Sequence, residues 1–435
     1  MTSQPPASAN PQSPPQPWQL FSSRQRWKML AVLFLVSTVS NVDRQIMTVA
    51  IEPIKAEFNA TDTQMGLLTG VAFALFYATL GLPIARWADR GNRKLIITIS
   101  ITFWSLMTAI CGAAQNFVQM FFARLAVGGG EAGALPTSQS LIADYFPPQE
   151  RGKAIGIFAM AGVAGYAAAL IGGAQIATLF GWRAMFVIFG LSSLLVAIIA
   201  SRCLLEPRRM LPPAADRIAG ERLGPSIVAL TRKRSFLWQI AGGGFYGIVS
   251  YGALIFVVSH LVRSFGLSLA HAGAVYGSIS AVTAIVGALA GGYLTDRLGR
   301  RSPATVPLLT GLFMFAALPA YLVALLSNDF NVFIVAALIG GCLVFGAGPS
   351  LFAGIHIVCG SPRRATAIAL LYFVMNSVGL GGGPVLTGIL SDTFGAQFGS
   401  GMGLRIAMLI AFAALLPGGA CFILAARKMR ADAEN

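Results

Sequence analysis

Twelve long apolar runs dominate the chain, near residues 28–51, 64–86, 94–113, 117–141, 152–176 and 183–204, then 236–261, 271–295, 303–326, 331–357, 365–391 and 403–426. A helix needs roughly 20 mainly apolar residues to cross a bilayer, and each run is about that long. The pattern predicts an all-α membrane protein of twelve transmembrane helices, six on each side of a polar stretch. The boundaries read as a disordered tail 1–27, a six-helix bundle 28–204, a linker 205–235, a second bundle 236–427 and a short tail 428–435. The Pro/Ser/Gln-rich start TSQPPASANPQSPPQP cannot bury a core and has no apolar stretch of its own, so the first helix is expected to be retained.

Composition agrees with the pattern. Of the 435 residues 56% are hydrophobic and 11% charged, with mean hydropathy +0.72. The net charge of +15 would suit nucleic acid, but its distribution suits a membrane. With the first helix running outward, 25 of the 31 basic residues fall on the side of the two termini. Short cytoplasmic loops collect Lys and Arg, so both termini are expected in the cytoplasm, of a bacterial inner membrane. The five cysteines stand singly and the three histidines have no metal-ligand spacing. Neither a metal nor a cofactor is expected.

The two halves repeat one design. ARWADRGNRK (85–94) follows the second run and GYLTDRLGRR (292–301) follows the eighth. Arg151-Gly-Lys-Ala-Ile is echoed by Arg364-Ala-Thr-Ala-Ile. This predicts parallel six-helix repeats related by pseudo-symmetry.

Charges inside the runs carry the candidate chemistry. The first run holds Asp43 and Arg44, and the fourth holds Arg124 and Glu131. Seven residues at about 100° each bring Arg124 and Glu131 to one helix face, about 10 Å apart. Depth counted from the helix ends puts all four at a similar level, as a neutral quartet. A charge at the bilayer centre costs at least about 2.5–3.5 kcal/mol, so such residues either brace the fold or serve a pathway. The triplet Gly128-Gly129-Gly130 thins the fourth helix there. The second half has no such charges, and its central polar candidates include Tyr246, Tyr251, Tyr276, Tyr372 and Asn376. His260 and His356 read as polar residues near helix ends.

Gly292, Asp296, Arg297, Gly299, Arg300 and Arg301 match G-x-x-x-D-R-x-G-R-R, and the chain here resembles the major facilitator superfamily. In the first half Ala85 replaces the leading glycine and Gly91-Asn92 shifts the turn. N-x-D-R on the first helix and R-x6-E before Pro136 on the fourth resemble two branches. These are the spinster-like carriers of lysolipid-type amphiphiles and the anion:cation symporters of organic acids. FGLSLAHAGAVYG and the Gly-rich eleventh run look more like the first. The resemblance implies alternating access by rocking bundles in a monomer. Asp43 and Glu131 would carry protons, Arg44 and Arg124 would hold substrate, and Tyr246, Tyr251, Tyr372 and Asn376 would face them. Asp89, Arg90, Arg93, Asp296, Arg297, Arg300 and Arg301 would form inner-gate loops, with Asp89 and Arg93 bridging toward Asp144, Glu150 and Arg151. The substrate expected is an anionic or zwitterionic amphiphile moved with protons, with a small organic anion or a drug as alternatives. The fifth run, AGVAGYAAALIGGA, lacks the proline of many drug exporters. No G-x-S-x-G, convergent nucleophile or G-x-x-x-x-G-K-[ST] is present, so an enzyme or an ATP-driven pump has no support.

Overall fold

The computed structural model describes residues 16–210 and 223–433, and among them every regular element is helical. The first half comprises α1 (Ser23–Phe58), α2 (62–90), α3 (Arg93–Cys111), α4 (117–145), α5 (148–180) and α6 (182–203). The second comprises α7 (234–265), α8 (Leu269–Gly299), α9 (Thr305–Leu326), α10 (Phe330–Cys359), α11 (Thr366–Phe398) and α12 (Ser400–Met429). Together they make twelve transmembrane helices. One face of the molecule carries the start of α1 and the end of α12; the other is called the opposite face below.

Several boundaries follow from local chemistry. Ser22 caps α1 by accepting from the Gln25 N–H, and Asn59 ends it in the left-handed conformation at φ 49°. Gly181 at φ 85° separates α5 from α6, a backbone state that L side chains avoid. α4 breaks after Glu131 and resumes at Ala134. Pro136 explains the break, because it has no N–H to bond back to the Ala132 carbonyl. The pieces, of 15 and 12 residues, are each too short to span alone.

Three wide π-helical turns interrupt α5 (Ala168–Gly172), α7 (Ile248–Ala253) and α11 (Met375–Gly382). All three face the join between the halves. There α2 packs on α11, α5 on α8 and α1 on α7. The close approaches rest on missing side chains: Gly70 lies against the carbonyls of Leu380 and Gly381, and Gly277 against Leu170 and Ile171. Elsewhere Phe122, Leu179 and Leu289 stand more than half exposed, as lipid-facing residues do.

Order begins earlier than the sequence suggests. Within the expected tail, Pro17–Leu20 forms a short 3-10 helix and Phe21 is buried against Tyr145. Trp27 packs edge-on to Phe146. Within the expected linker, residues 204–210 dock on the first half, and Leu223–Thr231 is helical. In both stretches apolar or charged side chains find partners that a composition count does not show.

Candidate functional site

Asp43 and Arg44 follow each other on α1, so their side chains leave the helix about 100° apart. Arg44 turns toward the join between the halves. Its Nε donates to Glu131 Oε2 at 2.7 Å, and the Ser40 hydroxyl donates to the same oxygen at 2.9 Å. Glu131 is brought there by the last turn of the first α4 segment. Its Oε1 is buried with no partner among the described residues. The Arg44 guanidinium also lies 4.9 Å from the Phe73 ring centroid and 4.8 Å from that of Tyr77, both on α2.

Asp43 points instead into the first half, fully buried. Neither carboxyl oxygen has a hydrogen bond. Trp104 and Thr108 of α3 stand near enough to interact but without hydrogen-bond geometry, and their own donors are unpartnered. Arg124 is also buried; its Nη1 donates to the Asp43 backbone carbonyl at 3.1 Å, and its Nε has no partner. Its guanidinium stacks on Phe73 from 5.7 Å. The expected quartet is therefore two unlike units. One is an Arg44–Glu131 ion pair facing the join. The other is a buried Asp43 beside Arg124, which touches the main chain of Asp43 rather than its carboxylate.

A cavity of about 40 Å³ lies against these groups. Its first-half wall includes Arg44, Gln45, Thr69, Phe73 and Arg124, and its second-half wall Ser250, Tyr251 and Tyr276. Another of about 60 Å³ touches Arg44 from the side of Ser37, Asn41 and Ser138. The volumes suit a water or two. Arg44, a quarter exposed, stands between them.

Among the second-half candidates, Tyr251 and Tyr276 line the central cavity. The Tyr246 hydroxyl donates to the Val344 carbonyl at 3.2 Å, a bond between helices. Tyr372 is 42% exposed and packs against Phe352. Asn376 is half-buried in the π-helical turn of α11. Tyr166, Gln45 and Thr69 join the cavity without having been singled out, since nothing in a single Tyr, Gln or Thr marks its depth or its facing. His260 is fully buried among Phe265 and Phe333, because a π-helical and 3-10 stretch shifts α7 just before it.

Of the expected gate contacts, the bridge from Arg93 to Asp144 is present, and it lies within one half. Arg93 is fully buried and bonds Asp144 and Glu206, each at 2.6 Å, while Glu206 also accepts from the Arg93 N–H at 2.7 Å. This ties α3, α4 and the start of the linker within one half, so it braces that half. Arg151 donates to the Ala143 and Phe146 carbonyls, and Glu150 lies 3.6 Å from Arg26. The side chains of Asp89 and Arg90 lie outside the described residues. Asp296, Arg297, Arg300 and Arg301 are exposed, with Arg297 donating to the Tyr293 hydroxyl.

The charges that do join the halves sit at the opposite face. Arg263, at the end of α7, bonds Glu52 of α1 at 2.6 Å and both oxygens of Asp62 at 2.7 Å. Lys55 and Ser391 each donate to Asp62 at 2.6 Å. Asp392 of α11 accepts from the Asp62 and Thr63 N–H groups at 2.9 and 2.8 Å, capping the start of α2 from the other half. The halves are thus fastened at this face.

The chain is 32% identical over 94% of its length to an MFS-type efflux pump of Mycolicibacterium smegmatis, covering 94% of that protein. It is 26% identical over 84% of its length to a probable L-galactonate transporter of Escherichia coli, covering 83% of it. Its fold matches the inward-facing, unoccupied structure of a bacterial homologue of the human lysosomal transporter Spinster with a TM-score of 0.85 and 30% identity, over 95% of this chain and 99% of that one. The family model of the Major Facilitator Superfamily matches residues 33–379. A twelve-helix transporter, this chain belongs to the Major Facilitator Superfamily.

Proposed function

We propose that this transporter moves an anionic or zwitterionic amphiphile of lysophospholipid type, coupled to protons, with Arg44 and Glu131 as the exchanging pair. The observation that carries the reading is the Arg44–Glu131 contact at the cavity wall. An anionic head group arriving at Arg44 competes with Glu131 for the guanidinium. In this reading a proton on Glu131 replaces the counter-charge that the head group has drawn away. Proton and substrate thereby occupy the pair together, and loss of both restores the ion pair. Arg124 supplies a second cation, its Nε free for an oxygen of the same head group. Asp43, buried without a partner, is the second proton carrier. The aromatic and apolar second-half wall takes the rest of the molecule. With both termini in the cytoplasm of a bacterial inner membrane, the reading that the loop charges support, the present conformation is closed to the outside. The protein works as a monomer.

A second reading, a symporter of small organic anions, is favoured by the small volume of the cavity and by the acid-sugar relative. An efflux role follows the name of the mycobacterial relative. Proton flux into proteoliposomes, driven in turn by a lysophospholipid and by a sugar acid, separates these readings. The expected result is lysophospholipid-driven flux that Asp43→Asn and Glu131→Gln each reduce by about tenfold or more, the scale of losing one charge-assisted contact. Flux with the sugar acid alone would select the second reading. Substrate movement without protons, undiminished in both variants, would make the pair a brace.

A further inference from the structure

A second cavity, of about 30 Å³, lies inside the second half among α7, α8, α9, α10 and α12. Leu254 and Tyr276 line both it and the central cavity and stand between them. Their chemistry differs. The central cavity is bordered by the Arg124 Nε and the Ser250 hydroxyl, both buried without partners. Eleven of the fifteen residues around the second are apolar, and the hydroxyl side chains among them are Tyr276, Ser280, Thr283 and Tyr321. Thr283 bonds the Ile279 carbonyl of its own helix, and Tyr321 lies flat on Phe412 with centroids 4.0 Å apart. A wall so largely apolar admits a hydrocarbon end. Its lining lacks contacts on one side, which a hydrocarbon would supply.

The dividing residue stands at a weak point in its helix. Leu254 begins the 3-10 turn Leu254–Phe256 directly after the π-helical turn Ile248–Ala253. Neither turn keeps the regular i to i−4 ladder, so α7 can shift Leu254 without breaking a full helical repeat.

We propose that this second cavity receives the distal end of the substrate's hydrocarbon chain, and that Leu254 sets the longest chain accepted. The inference rests on the amphiphile reading above: a head group on Arg44 and Arg124 directs the chain toward the wall formed by Leu254 and Tyr276. Filling the cavity from either side shortens the preferred chain, and clearing Leu254 lengthens it.

The test uses the purified full-length protein and a homologous series of single-chain alkyl phosphates from hexyl to hexadecyl, with binding read by calorimetry. For the parent, affinity rises with chain length by up to about fourfold per buried methylene and then levels off. Ala337→Phe on the far wall brings the plateau to a shorter chain and leaves hexyl phosphate unchanged, and Leu254→Trp likewise brings the plateau to a shorter chain. Leu254→Ala moves the plateau to a longer chain. Thermal unfolding in detergent confirms that each variant is folded. Variants that weaken hexyl and hexadecyl phosphate equally, or change neither, overturn the subsite while leaving the amphiphile reading in place. A parent that binds no member of the series overturns both.

Discussion

At the residue scale, one peptide bond separates two different fates. Arg44 reaches Glu131, Phe73 and Tyr77 at the join between halves, whereas Asp43 is turned into the first bundle beside Trp104 and Thr108. The rotation of an α-helix decides this, since adjacent side chains diverge by about 100°. Gly128 makes the meeting possible. A Cβ there would meet the carbonyl oxygen of Phe73, a backbone atom that cannot swing aside, so α2 and α4 approach only over bare glycine. At Gly129 the nearest atom would be the end of the Leu80 side chain, 3.1 Å away and free to rotate. Gly128→Ala is therefore expected to cost about 1–3 kcal/mol. Gly129→Ala is expected to cost well under half as much. Melting temperatures of the two variants in one detergent check this, and equal losses would show that the approach is not set by Gly128.

At the element scale, the contact between α2 and α11 is a cap as well as a packing surface. The first N–H groups of a helix have no partner within it. Those of Asp62 and Thr63 are taken by Asp392, from the other half of the molecule. Opening the opposite face strips α2 of this cap and parts Arg263 from Glu52 and Asp62 together. Hydrogen bonds to charged groups contribute about 1.5–3 kcal/mol each. Arg263→Ala or Asp392→Ala is accordingly expected to raise the fraction open at this face by about ten- to a hundredfold. Spin labels on the opposite-face ends of α2 and α11 would report it as a second, longer distance in their dipolar spectrum. An unchanged distribution in both variants would assign the closure to the glycine packing alone. Glu206→Gln, which loosens a tie inside one half, should leave that distribution as it is.

At the scale of the whole molecule, legibility followed cost. Asp43, Arg44, Arg124 and Glu131 were visible in the sequence because charge in an apolar run is expensive and conspicuous. The twelve spans and the duplication were visible because apolar runs and repeated loops need no partner to be recognised. Glu52, Asp62, Asp392 and Glu206 were not, since each sits near a helix end, where charge is ordinary, and its partner lies on another helix, up to 330 residues away for Asp392. The side of the membrane on which the latch lies rests on the loop charges alone, so orientation is the property to measure directly. In a background freed of Cys111, Cys203, Cys342, Cys359 and Cys421, Thr231→Cys marks the terminal face and Asn328→Cys the opposite one; both positions are exposed. A membrane-impermeant maleimide added to intact cells should label Asn328→Cys, and Thr231→Cys only after permeabilisation. The reverse pattern would put the Arg263 latch on the cytoplasmic side. The same structure would then be the state closed to the cytoplasm, and the exchange at Arg44 and Glu131 would begin from the outside.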